Sequence, residues 1–121
     1  MWWSASLQVI CLIEGHGLDL VQRNVVVFRA PDDWASAWSK AIELAERYRQ
    51  EYQNGEGRHV RWVPKAIETL DMFDAEFVSG QEVYSEIQQI EPPDTSVPFD
   101  ISFDLTSARP GMSGSGVYAR K

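Results

Sequence analysis

The sequence predicts an α+β fold: a mostly antiparallel sheet in β-β-α-β-β order, a fifth strand at its edge, and one long helix packed on one face. Three observations lead there. Apolar residues recur at spacings of three and four in a single long stretch, residues 32–52. Alternating or continuous apolar runs lie on both sides of it. Clusters of Gly, Pro, Asn and Ser separate the runs.

The first strand is read from Trp3, Ala5, Leu7, Val9, Cys11 and Ile13. These alternate with Ser4, Ser6 and Gln8, then with Ile10 and Leu12, so the strand is one-sided at its start and apolar on both sides near its end. Glu14-Gly15-His16-Gly17 is a turn. Residues 20–29 form a second strand around Val25-Val26-Val27-Phe28, and the short connection makes the pair an antiparallel hairpin.

The helix is expected over Asp32 to Tyr52, with Asp32 as its N-cap and Asn54-Gly55 as its stop. Trp34, Trp38, Ile42, Ala45, Tyr48 and Tyr52, with Ala41, share the face that meets the core. Residues 59–73 make a third strand, bent or bulged at Pro64, which cannot donate to a ladder. A turn region over 74–80 leads to a fourth strand, residues 82–90. Beyond Glu91-Pro92-Pro93-Asp94, Val97, Phe99, Ile101, Phe103 and Leu105 alternate strictly with Pro98, Asp100, Ser102 and Asp104. That predicts a fifth strand with one apolar face, placed at an edge by Pro98. Residues 1–106 thus form one α+β domain, with 91–106 as an extension strand and 107–121, rich in Gly and Ser, as a flexible tail.

Composition agrees with one folded domain. A chain of 121 residues buries roughly two-thirds of its unfolded surface, and five Trp argue against disorder. A net charge of -7 disfavours nucleic acid and anionic membranes as partners. One cysteine, Cys11, excludes an intrachain disulfide and sits in an apolar run as a small core residue. No basic leader and no membrane-length apolar run is visible, so a cytoplasmic protein is expected.

Several short motifs carry a family resemblance. Trp2-Trp3-Ser4-Ala5-Ser6-Leu7 opens the chain, and Val25-Val26-Val27-Phe28-Arg29-Ala30 leads into the helix. Val60-Arg61-Trp62, Thr69-Leu70-Asp71 and Glu82-Val83-Tyr84-Ser85 follow in order. Together they resemble a family of small bacterial domains of unknown function, the DUF4288 type, over about residues 2–90. Trp3 stands where that family usually has Tyr. The resemblance implies no activity and no catalytic residues, and makes the stretch after Ile90 an extension.

Residues that carry chemistry are sparse. His16, His59 and Cys11 lie in different elements without the spacing of a zinc site. Asp71, Asp74 and Glu76 lack the ligand alternation and central Gly of a calcium loop. Gly111-Met112-Ser113-Gly114 superficially resembles the nucleophile loop of trypsin-like proteases, but this chain is far too short for two barrels and offers no supported triad histidine. Neither a metal nor a cofactor is expected.

Charge is the least ordinary feature. No Lys or Arg occurs between Lys65 and Arg109, while that stretch holds Glu68, Asp71, Asp74, Glu76, Glu82, Glu86, Glu91, Asp94, Asp100 and Asp104. If the third, fourth and fifth strands are neighbours, they carry a concentrated negative potential that attracts basic proteins. The residues expected to form it are Asp71, Asp74, Glu76, Glu82, Glu86, Asp100 and Asp104. The same pattern suits, somewhat better, a solubility face guarding an edge.

Three functions are therefore open. One is a non-catalytic protein-binding domain, in its sharpest form an acidic immunity- or antitoxin-type inhibitor docking a basic protein. Another is a structural module that forms a homodimer through the 97–105 strand. The third is a small enzyme with an acidic site near Asp71, Asp74 and Glu76.

Overall fold

The computed structural model describes residues 1–73 and 81–106, except the side chains of 81–84. Five antiparallel strands form one sheet: β1 (Trp2–Ile13), β2 (Gly17–Arg29), β3 (Gln50–Gln53), β4 (His59–Phe73) and β5 (Gln81–Asp94). One helix, α1 (Trp34–Glu46), connects β2 to β3. The strand order is β3-β4-β1-β2-β5. β1 is central, which explains why its second half is apolar on both sides.

The two faces of β1 are covered differently. Trp3, Ala5 and Leu7, with Phe28, Ile67 and Leu70, meet the buried residues Ala37, Trp38, Ala41, Leu44 and Ala45 of α1. The alanines at 37, 41 and 45 recur every four residues, and their small side chains let the helix lie close to the sheet. Trp34 stacks on Trp38 with ring centroids 5.1 Å apart. On the other face, Ile10, Leu12 and Val63 are covered by Val97, Phe99, Ile101 and Phe103. Adjacent Trp2 and Trp3 separate as strand geometry requires: Trp3 is buried, while Trp2 is half-buried beneath the Arg29 guanidinium.

The helix is shorter than its periodicity suggests. Asp33, not Asp32, is the N-cap; its carboxylate accepts from the Ala35 amide at 3.3 Å and the Ser36 hydroxyl at 2.6 Å. The Ser36 bond, ahead of the backbone bonds, holds the Asp33 pKa below its ordinary value. At the other end the amides of Arg47, Tyr48 and Arg49 turn to the carbonyls of Leu44, Ala45 and Glu46, three residues back. The chain then enters β3 and pairs with β4, Tyr52 opposite Val60. Tyr52 therefore keeps helical spacing from Tyr48 without being helical. It is 43 % exposed and not part of the core face.

Asn54-Gly55 is likewise a hairpin turn rather than a helix stop. Asn54 Oδ1 accepts from the amides of Glu56 and Arg58, and Gly57 supplies a φ of 80°. β4 matches its expected bounds, and its ladder with β1 skips a residue next to Pro64 and again at Glu68.

The expected fifth strand over 97–105 is not a strand. Its apolar residues do face inward, so the one-sided pattern is real, but no strand lies beside it among the described residues. Arg61 Nη1 instead donates to the carbonyls of Phe99 at 2.7 Å and Ile101 at 3.0 Å, taking the place of a ladder. The Ile101 amide closes a turn onto the Pro98 carbonyl. The tail over 107–121, Ser113 included, and the turn over 74–80 lie outside the described residues.

Candidate functional site

β5 forms one edge of the sheet. Among the described residues it pairs with β2 alone, and the side chains from Ser85 to Gln89 are all exposed. A strand of 14 residues is long for an edge. It carries Glu82, Glu86 and Glu91 and no basic residue. At its end Asp94 accepts from the Ser96 hydroxyl at 2.6 Å and amide at 3.0 Å, which hold its pKa below the ordinary value.

Of the seven carboxylates expected to act together, the five among the described residues lie on three different parts of the chain. Glu86 is exposed on β5 opposite Arg23 of β2. Glu82 is on the same strand opposite Val26. Asp100 is exposed on the segment that covers the second face. Asp104, on the same segment, accepts from the Thr106 amide and hydroxyl. Asp71 is on β4 opposite Ser4. β1 and β2 lie between β4 and β5, so the condition that the acidic strands be neighbours fails for Asp71. Asp74 and Glu76 lie outside the described residues. What the fold keeps together in sequence and space is the β5 group.

Burial raises the Asp71 pKa above its ordinary value. Among the described residues, no three His, Cys, Asp or Glu side chains are grouped to hold a metal ion. No helix among them is long and apolar enough to cross a membrane. The 97–105 segment, expected to pair with or swap into another copy, packs Val97, Phe99, Ile101 and Phe103 against Ile10, Leu12 and Val63 of its own chain.

A second feature escaped the sequence. Arg47, Tyr52, Trp62 and Ile87 come from four separate parts of the chain and line one cleft at the C-terminal end of α1. No local pattern could bring them together, because their meeting depends on strand order. The family model for a domain of unknown function, DUF4288, matches residues 2–85, from β1 into the first part of β5. No curated protein and no solved structure matches the chain.

Proposed function

The chain belongs to the DUF4288 family of domains of unknown function, and from that premise we propose that it is a non-catalytic binding domain whose acidic β5 edge docks a basic protein in the bacterial cytoplasm. The observation that carries this reading is the edge itself. β5 is long, exposed, acidic and paired on one side only among the described residues. Such an edge offers main-chain donors and acceptors to an added strand, while its carboxylates steer a partner of opposite charge and repel another acidic copy. An immunity- or antitoxin-type inhibitor is the sharpest form of this role.

The test is affinity capture from the native host at low and high salt, with the intact chain and with Glu86→Lys/Glu91→Lys side by side. A basic protein held by the intact chain, released by salt and missed by the variant supports the proposal. Capture that is indifferent to both salt and charge reversal contradicts it.

A further inference from the structure

We infer that the cleft at the C-terminal end of α1 binds a small planar anion, an aromatic ring carrying a phosphate or carboxylate. This site is separate from the β5 docking role and does not depend on it.

The cleft has a volume of about 440 Å³, within the range of small-molecule sites. Its lining is aromatic and cationic: Trp62 of β4, Tyr52 of β3, Tyr48, Arg47 and Arg49 after α1, and Ile87 of β5, with no carboxylate. In a chain of net charge -7, the lining itself presents two guanidiniums. Four large hydrophobic residues are exposed among the described residues, and two of them, Tyr52 at 43 % and Ile87 at 55 %, line this one cleft. Exposed apolar groups gathered in a concavity mark a binding site more than the same groups scattered over a surface.

The polar groups narrow the ligand. Trp62 Nε1 donates to the Tyr52 hydroxyl at 3.1 Å, which ties the two rings together and commits the indole's donor. The rings then offer apolar and π surface to a flat molecule. Arg49 is held by Glu46 at 2.7 and 3.1 Å, so its charge is largely answered. Arg47 is held more loosely, 3.7 Å from Glu43, with its side chain 60 % exposed. It is the more exposed and more loosely paired of the two cations, the one that can turn toward an anionic group, and a guanidinium suits both phosphate and carboxylate.

The test follows the Trp62 indole N–H by NMR, assigned through its loss in Trp62→Phe. The probes are adenosine 5′-monophosphate and indole-3-acetate, with adenosine and inorganic phosphate as single-feature controls. The expected result is a saturating shift with one or both anionic aromatics, binding at least about tenfold weaker for each control, and loss of the preference for anions in Arg47→Gln. Tyr52→Ala, an exposed position, should weaken both aromatics. A better response to the phosphate or to the carboxylate identifies the anion. No shift up to about 10 mM of either aromatic anion, or adenosine binding as tightly as its monophosphate, overturns the inference.

Discussion

Arg23 of β2 reaches across the central strand to Glu68 of β4, Nε to Oε1, at 2.9 Å. Glu68 occupies one of the two positions where β4 skips a residue against β1, and its side chain is 13 % exposed. The ion pair therefore clasps the two neighbours of β1 at a break in the ladder. Arg23→Ala strands a largely buried carboxylate and should cost about 1–3 kcal/mol in urea unfolding. Glu68→Gln, which keeps an acceptor, should cost less. Equal losses from the two substitutions would show that the charge pairing is not what stabilises the bulge.

Gly17 opens β2 with a φ of 97°, and an added Cβ would lie 2.7 Å from the Asp94 carbonyl carbon and 2.8 Å from the Thr95 Cα. Both contacts are with backbone, so a side chain cannot simply rotate away. Gly17→Ala should destabilise by more than about 1 kcal/mol and loosen the segment after β5. Faster hydrogen exchange in residues 94–101 is the direct readout. A variant as stable as the parent would contradict the close approach.

Asn24 is fully buried between Leu7 of β1 and Ser85 of β5, and neither its amide oxygen nor its nitrogen has a hydrogen-bond partner among the described residues. An unsatisfied buried amide is costly, so Asn24→Leu should leave the fold intact and raise its stability by about 1 kcal/mol. A clear loss in thermal unfolding would mean that the amide has a partner worth keeping.

Cys11 is 3 % exposed, and burial, followed by the charge of Asp19, pushes its thiol pKa from 9.0 up to about 11. The folded state thus holds this proton more tightly than the unfolded chain. Its contribution to stability is complete below about pH 9 and is lost as pH rises toward 11. The stability difference between the parent and Cys11→Ala should shrink across that window. Iodoacetamide should spare the native thiol at neutral pH and label it on unfolding. A pH-independent difference would contradict the assignment.

Much of this fold was legible because its signals were local. β4 was bounded correctly, Gly55 and Gly57 lying before it, and the bulge next to Pro64 followed from the missing N–H. The errors arose where a local period had two physical explanations. Tyr48 and Tyr52 fit a helix by spacing, yet pairing with β4 draws Tyr52 into a strand. The alternation over 97–105 correctly indicated one buried face, but Arg61 serves the carbonyls that a neighbouring strand would have bonded. Strand order was not legible at all, since either edge of each hairpin could pair. That alone removed Asp71 from the acidic edge and assembled the Arg47–Trp62 cleft.

The most direct measurement is hydrogen exchange on the full chain with and without the basic protein recovered by capture, at low salt. Docking at the acidic edge predicts new protection of β5 amides, reduced by Glu86→Lys/Glu91→Lys, with β3 at the opposite edge unchanged. Protection confined to β3, or a complex that forms while β5 exchanges as freely as before, would contradict the account.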